Sequence, residues 1–331
     1  MKDSDAMDMT DTMFSPSGSA RMYAFLLKLR PLQPGTLMPF VGEMVHAAFL
    51  NWLRATAPDV ATWLHEGQKR RLFTCSNLHY SPSMQPQLRA ERENIHLPLD
   101  PEKTYTVRIT LLLGELFPLF HRALMEFHTR SNAAAPPFMQ LSKQLFLLEE
   151  VTLATDDTSG WTDFATLADL VERAKQARFG HNPALTLEFA SLTTFSRGSA
   201  KVGYGGYHAL FPLPEMVFQN LLKRWEDIAP PELAGVVQRE RLEQYLQENG
   251  VIVIDYNLKA HHIHFTTHLL RGFLGTCTYQ LRGSDEKTTP EAPLTVRQQI
   301  YLLAQLAFYS GIGYKTAMGL GQARLLKKAR D

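Results

Sequence analysis

Four glycines fall within residues 311–321, which read Gly-Ile-Gly-Tyr-Lys-Thr-Ala-Met-Gly-Leu-Gly and are called the glycine-rich segment below. Glycine permits positive φ angles and a close approach of the backbone to a ligand, and a lysine ammonium offers a point charge to phosphate. A tight connection between a helix and a strand needs fewer glycines than this. The segment therefore predicts contact with a phosphate backbone. The residues predicted to make that contact are Gly311, Gly313, Tyr314, Lys315, Thr316, Gly319 and Gly321.

The same glycines do not form a nucleotide-binding motif. A dinucleotide fingerprint must follow a strand and open a helix, whereas this segment follows a predicted helix and precedes a predicted strand. The Gly-Lys-Ser/Thr ending of a P-loop is also absent from the segment. A nucleotide- or metal-dependent enzyme stays as an alternative that binding of ATP or NAD would support, but we expect no cofactor.

Two histidines on predicted helices could move protons. His46 lies next to the apolar stripe of its helix, and His65 ends the following short helix, shortly before Lys69, Arg70 and Arg71. Imidazole accepts or donates a proton near neutral pH, and cations beside it favour a bound phosphate. Taken singly, each histidine is more typical of an ordinary helix residue than of a catalytic one, so the roles stay open at this point.

A run of histidines between His261 and His268 has some features of a metal site, because positions 262, 264 and 268 would share one strand face. Zinc sites in proteins combine histidine with cysteine or carboxylate at suitable spacing. No such partner accompanies this run, and the two cysteines of the chain are too few and too far apart for a zinc site or a disulfide framework. We therefore expect no metal.

A glycine-rich stretch from Ser196 to His208 mixes cations with aromatic residues. Aromatic rings stack on bases and cations pair with phosphates, so this mixture is typical of a loop that contacts RNA. Arg197 and Lys201 are the predicted contacts. A disordered insertion is an equally good interpretation.

Length and composition restrict the class of protein and the number of domains. A chain of 331 residues with 45% hydrophobic and 20% charged residues suits a folded protein of two domains. The net charge of +1 is not that of a strongly basic nucleic-acid binder, so a polyanion would have to meet local basic patches. Residues 1–20 carry four Asp against one Lys and no apolar core, which predicts a disordered leader and not a signal peptide. With no apolar run of membrane-spanning length, we expect a cytoplasmic protein.

Periodicity predicts the elements that must position these residues. The order β-α-β-β-α-β occurs twice, and it is the ferredoxin-like arrangement. The sequence therefore predicts an α+β fold of two tandem ferredoxin-like (RRM-like) domains, at residues 21–155 and 183–331. Residues 156–182 join them, and Trp161–Ala177 is predicted to form a connecting helix. The predicted strands are 23–29, 72–79, 105–113, 145–154, 184–192, 251–258, 269–281 and 322–328, and the predicted helices are 42–56, 58–67, 115–130, 214–229, 236–248 and 295–309.

The glycine-rich segment, with Tyr309 and Ser310 before it, resembles the C-terminal glycine-rich loop of the CRISPR repeat-processing endoribonucleases of the RAMP superfamily. Supporting matches are Ala61–Glu66 with Leu72–Thr74, Pro214–Phe218 with Arg224-Trp225, and Gly272–Gly275. The resemblance extends over nearly all of residues 21–328. It implies two tandem ferredoxin-like domains, in agreement with the order of elements.

The resemblance implies metal-independent cleavage of the CRISPR repeat in precursor RNA. The 2′-hydroxyl would attack the adjacent phosphate, giving a 2′,3′-cyclic phosphate and a 5′-hydroxyl. Family members place a catalytic histidine either in the first helix or at the Leu-His-Glu position after it, and here His46 and His65 fill both. Arg71 stands where some members carry a lysine, and it can stabilise charge but is a poor proton donor. A helix tyrosine used by some members is replaced by Leu50.

The implied site residues and partners follow from the same resemblance. His46, His65 and Arg71 are the expected catalytic residues, with Lys69 and Arg70 as RNA contacts. CRISPR repeat RNA is the expected partner, and subunits of a CRISPR effector complex and a second copy of this chain are further candidates. The alternative function is a catalytically inactive subunit of an effector complex that binds repeat RNA.

Overall fold

The structure is a computed structural model that describes residues 21–66, 72–80, 96–130, 138–153, 159–181, 183–198, 206–265, 268–283, 288–289 and 292–326. The predicted disordered leader, residues 1–20, lies outside these ranges. The chain folds as two compact units, an N-terminal unit that ends at Thr166 and also includes Ala317–Gly319, and a C-terminal unit formed by the rest. The domain boundaries derived from the sequence stay predictions. Among the helices described, none is both long and apolar enough to cross a membrane.

The N-terminal unit is built on one antiparallel sheet in the order β3-β6-β1-β8-β7, with β4 also paired to β6 and β9 to β1. Without the outer strand β7, this is the strand order of a ferredoxin-like unit. The elements are β1 (Arg21–Pro31), β2 (Gly35–Leu37), α1 (Gly42–Thr56), α2 (Pro58–Glu66), β3 (Phe73–Cys75), β4 (His79–Tyr80), β5 (Leu97–Leu99), β6 (Tyr105–Leu111), α3 (Leu116–Arg130), β7 (Phe138–Leu141), β8 (Gln144–Thr152) and β9 (Asp163–Thr166).

One face of β1 and one stripe of α1 form the core of this unit. Phe25, Leu27 and Leu29 alternate along β1 and are fully buried, as the alternation in the sequence predicts. Val45 and Phe49 lie four residues apart on α1 and are also fully buried. The apolar stripe thereby fixes which face of α1 turns towards the sheet.

The C-terminal unit has a second antiparallel sheet in the order β13-β14-β10-β15, again the ferredoxin-like order. The predicted α+β fold of two tandem ferredoxin-like domains is confirmed. The elements are α4 (Leu167–Gln176), β10 (Ala184–Thr193), β11 (Phe195–Arg197), β12 (Tyr207–Ala209), α5 (Pro214–Ile228), α6 (Pro231–Ala234), α7 (Arg239–Gln247), β13 (Val251–His264), β14 (Leu269–Leu281), α8 (Val296–Ser310) and β15 (Ala323–Leu325), with a 3₁₀ turn at Thr316–Met318.

The predicted single helix Trp161–Ala177 is wrong in its first part. Asp163–Thr166 is the strand β9, and only Leu167–Gln176 is helical. The reason lies in β1, which β8 pairs only from Leu26 onwards. The N-terminal end of the same edge of β1 needs another partner for its backbone groups, and β9 supplies it.

Strand β13 is longer than the predicted 251–258 and continues to His264. Its second half is polar and carries little hydrophobic signal. Backbone pairing holds it nevertheless, because β14 matches it residue by residue from Leu258 to His264. The result is a long antiparallel pair in which β13 is the edge strand of the sheet.

We predict that the capping box of α8 stabilises the C-terminal unit. The Thr295 hydroxyl accepts a hydrogen bond from the backbone N–H of Gln298 (3.2 Å), and the Gln298 side chain accepts one from the backbone N–H of Thr295 (3.0 Å). Thr295→Ala should lower the free energy of unfolding by about 1 kcal/mol, because it leaves the Gln298 N–H without its partner. Urea denaturation measures the loss. Thr295→Ser retains the hydroxyl and is the matched control, so an equal loss in both variants would contradict the capping role.

Candidate active site

His46 lies on α1 one turn after Gly42, and both residues contact the segment Ala317–Gly319 within the N-terminal unit. The Nδ1 atom of His46 is 3.0 Å from the carbonyl oxygen of Ala317. At Gly42, an added Cβ would lie 2.3 Å from the carbonyl oxygen of Met318. Glycine at position 42 therefore permits the close approach that places a carbonyl against the imidazole.

The hydrogen bond determines the tautomer of His46. A carbonyl oxygen only accepts, so Nδ1 must carry the proton, and the lone pair of the neutral ring lies on Nε2. The ring also stacks on Phe73, with centroids 5.3 Å apart and planes inclined by 16°. With the side chain only 6% exposed, a carbonyl and an aromatic face together hold the imidazole in one orientation.

Backbone pairing holds the segment that carries this carbonyl. The N–H of Gly319 donates to the carbonyl of Cys75 (3.0 Å), and Ser76 forms a parallel bridge with Gly319. Gly319 has a φ of +92°, and an added Cβ would lie 3.0 Å from the Phe40 ring. The segment thus extends the end of β3, and a side chain at position 319 would strain this arrangement.

His65 lies in the last turn of α2 and is exposed. Helices α1 and α2 follow each other in the chain and pack together. Of the four residues predicted to act near a phosphate here, His65 is the one that the structure describes. Lys69, Arg70 and Arg71 lie outside the described residues.

Within the C-terminal unit, four backbone N–H groups of the glycine-rich segment, besides that of Gly311 at the end of α8, donate to acceptors of the protein. Backbone N–H groups are the donors with which a glycine-rich loop holds phosphate. In this segment these four donors are used to fix the loop itself. The bonds run from Ile312 to the Gly321 carbonyl (2.8 Å), from Gly313 to the Asn220 side chain (2.9 Å), from Tyr314 to the Thr194 carbonyl (2.9 Å) and from Gly321 to the Leu192 carbonyl (3.0 Å).

All four glycines of the segment are required by its backbone geometry. Gly311, Gly313, Gly319 and Gly321 have φ angles of +63°, +92°, +92° and +65°. An added Cβ would lie 2.5 Å from the nearest carbonyl oxygen at Gly313 and 2.1 Å at Gly321. The inference that a tight connection needs fewer glycines is therefore wrong. Contact of these residues with RNA is untested and stays a prediction.

Side chains of the segment differ in their accessibility. Tyr314 and Lys315 are partly exposed, whereas Thr316 is 2% exposed and its hydroxyl accepts a hydrogen bond from Arg224 (2.8 Å). Sequence reasoning gave Arg224 and Asn220 no role. A signal for Arg224 exists, since it lies one turn after Leu221 on the buried stripe of α5. No sequence signal could have indicated the Ala317 carbonyl, because every residue type has a backbone carbonyl.

The other predicted loop and strand residues are only partly placed as expected. Arg197 ends β11 and pairs with Tyr207 of β12, so this part of the predicted loop is a two-stranded sheet. Lys201 lies outside the described residues. The shared strand face of the histidine run is wrong for His268, which follows the end of β13 at His264 and stacks on Phe265. Among the described residues, no three His, Cys, Asp or Glu side chains converge as metal ligands do.

These observations define a protein of two ferredoxin-like units in which a backbone carbonyl of a glycine-rich segment orients a helix histidine. The model of the CRISPR Cas6 N-terminal domain matches residues 22–172. The model of the CRISPR-associated endoribonuclease Cas6 matches residues 187–323. The chain belongs to the Cas6 family of CRISPR-associated repeat-processing endoribonucleases, as the resemblance implied.

Individual relatives are distant in sequence. A CRISPR-associated endoribonuclease Cas6 from Streptococcus thermophilus is 24% identical over 120 residues, which are 36% of this chain and 44% of the relative, less than half of its length. A Cas6 product complex is 25% identical, with a TM-score of 0.68 over 92% of this chain and 100% of that one. Thermus thermophilus Cas6 is 22% identical, with a TM-score of 0.59 over 93% and 99% of the two chains, and shows the shared fold.

We predict that the glycine-rich segment tolerates no side chain at position 321. Gly321→Ala should lower the free energy of unfolding by about 2 kcal/mol or more, because its Cβ would meet the Ile312 carbonyl at a positive φ. Chemical denaturation measures the change. Gly235→Ala is the control, since Gly235 has a φ of −79° and open space around it. Its stability should be unchanged or slightly higher, and similar losses in the two variants would refute the geometric argument.

Proposed function

We propose that this protein cleaves CRISPR repeat RNA in precursor transcripts and so produces guide RNAs, without a metal ion. Membership of the Cas6 endoribonuclease family supports the substrate, as does the similarity to a Cas6 product complex. The observation that carries the chemistry is the hydrogen bond from His46 Nδ1 to the Ala317 carbonyl. It presents an imidazole of defined tautomer, as a proton-transfer group requires.

The proposed reaction is a transesterification within the RNA chain. A base removes the proton of the 2′-hydroxyl, and the 2′-oxygen forms a bond to the adjacent phosphorus. The bond from phosphorus to the 5′-oxygen breaks, and an acid protonates the leaving oxygen. The products are a 2′,3′-cyclic phosphate and a 5′-hydroxyl, and positive charge stabilises the phosphorane between them.

We assign the proton transfers to His46 and His65, and the charge stabilisation to Arg71 or a neighbouring cation. His46 would act through Nε2, because its Nδ1 proton is committed to the Ala317 carbonyl. His65 is exposed at the end of α2 and is therefore accessible to a large ligand. Which of the two is base and which is acid is left open by this assignment.

The partner proposed with this function is repeat RNA, and the location is the cytoplasm, where transcripts are processed. Effector-complex subunits and a second copy of the chain stay proposals as further partners. The alternative of an inactive RNA-binding subunit is not favoured, because the family models that match both halves of the chain describe an endoribonuclease family.

The proposed function is tested with the cognate repeat RNA in EDTA. We expect one cut per repeat, a cyclic phosphate or its hydrolysis product at the 3′ end, and a 5′-hydroxyl. A substrate with a 2′-deoxy nucleotide at the cut site should bind and stay intact, because its attacking oxygen is missing. Cleavage of that substrate, or cleavage only with added metal, would refute the mechanism.

We predict that His46→Ala and His65→Ala combined abolish cleavage. Each imidazole contributes about 10²–10⁴-fold as a proton-transfer group, so each single variant should lose at least about 100-fold in the single-turnover rate. Affinity for the 2′-deoxy repeat should change little. His121→Ala removes an exposed histidine of α3 and should cleave at the wild-type rate.

Because His46 is buried, its removal also tests a purely structural role. Thermal unfolding of His46→Ala and binding of the 2′-deoxy repeat separate the two roles. A variant that is folded and binds RNA but does not cleave supports the catalytic assignment. A combined variant that retains more than about one tenth of the wild-type rate would contradict it.

A further inference from the structure

A group of imidazole, ammonium and aromatic side chains converges in the C-terminal unit, and none of its members is assigned to the reaction. We call it the His208 cluster, and it consists of His208, Phe265, His268, Tyr314 and Lys315. His208 comes from β12, Phe265 and His268 from the connection between β13 and β14, and the other two from the glycine-rich segment.

Aromatic faces hold the cluster together. The Lys315 ammonium lies 4.1 Å from the centroid of the Phe265 ring and 5.6 Å from that of Tyr314, both within the range of cation–π attraction. The other two contacts are between rings, one stacked and one tilted. His268 stacks on Phe265 (5.5 Å, 15°), and His208 lies against Tyr314 (5.4 Å, 51°).

The backbone of Lys315 is a second, independent sign of function. Its φ is +53°, in the left-handed region, where a side chain with a Cβ costs free energy. The four nearest left-handed positions of the same segment are all glycine. Glycine would adopt this backbone conformation with less strain, but it would not supply the positive charge. Strained backbone positions of this kind are concentrated at functional sites.

His208 is in an environment that disfavours its charge. Burial, followed by the positive charges of His268 and Lys315, holds the pKa of His208 below its ordinary value. Its Nδ1 atom is buried and has no hydrogen-bond partner among the described residues. The two charged groups that lower the pKa of His208 are both positive. A hydrogen-bond partner for the buried Nδ1 atom could come from a ligand.

We infer that the His208 cluster binds a phosphate group of the RNA chain and that His208 takes up a proton when the phosphate binds. An anion relieves the repulsion among Lys315, His268 and a protonated His208, and it accepts hydrogen bonds from all three. The ring of Tyr314 offers a face to a neighbouring base. The identity of the ligand as RNA rests on the proposed function; the preference for a phosphate chain rests on the cluster.

The direction in which RNA affinity changes with pH follows from this proton uptake by His208. Bound phosphate stabilises the imidazolium, so the pKa of His208 is higher in the complex than in the free protein. Affinity then increases as the pH falls through the pKa of the complex and becomes constant below that of the free protein. Each unit of separation between the two values is worth about tenfold in affinity.

The test uses a short 2′-O-methyl oligouridine, which supplies phosphates and bases but lacks the hydroxyl needed for cleavage. Fluorescence anisotropy measures its affinity for the full chain between about pH 8 and about pH 5.5, a range that spans the ordinary histidine pKa of about 6.5. Wild type should bind more tightly at the lower pH, and His208→Gln should lose at least about threefold of that gain. His181→Gln changes an exposed histidine of the same unit and should follow the wild-type curve. A His208→Gln curve parallel to that of wild type would overturn the inference.

A second variant tests the cluster even if His208→Gln folds poorly. Lys315→Gln should weaken oligouridine binding and reduce the salt slope by about 0.7, the value for one phosphate contact on a single strand. An unchanged slope would refute the phosphate site. A protein that leaves the repeat uncut but shows the His208-dependent pH slope refutes the proposed function and supports the cluster. Repeat cleavage with no effect of His208→Gln on oligouridine binding does the reverse.

Discussion

The hydrogen bond between His46 and the Ala317 carbonyl joins residues that are 271 positions apart, and the arrangement around it depends on the absence of side chains. Gly42 leaves room for the Met318 carbonyl, and Gly319 leaves room for Phe40 while its N–H pairs with Cys75. The orientation of a histidine in the first helix is therefore completed by a segment 271 positions further along the chain. A carbonyl is well suited to this task, because it can only accept and so allows a single tautomer.

The glycine-rich segment divides its work between backbone and side chains. Its glycines and most of its N–H groups serve the fold, since the positive φ angles and the internal hydrogen bonds leave no room for Cβ atoms. Tyr314 and Lys315 are partly exposed, and they are the members of the segment for which we propose contact with a ligand. A glycine-rich loop with a rigid backbone can thus contact a polyanion through two of its side chains. Other glycine-rich loops bind phosphate through their backbone N–H groups instead.

Much of the fold was predictable because it rests on local periodicity. The alternation in β1 and the apolar stripe of α1 reflect burial on one face, and that pattern is visible in the sequence. The strand β9 was missed because it forms by pairing with the N-terminal end of β1. The polar half of β13 was missed because it is held by backbone pairing with β14. Backbone pairing requires no pattern of hydrophobic side chains in β9 or in the second half of β13, so neither was visible in the sequence.

The sequence by itself determined the two ferredoxin-like units, the family resemblance and the two histidine positions, since these depend on residue type and spacing. Only the tertiary structure decided that His46 is buried against Phe73 and Ala317, and that His208 and Lys315 both lie against Tyr314. These contacts join segments that are distant in the chain. They depend on a backbone carbonyl, a backbone angle and the direction of rings, none of which residue type encodes.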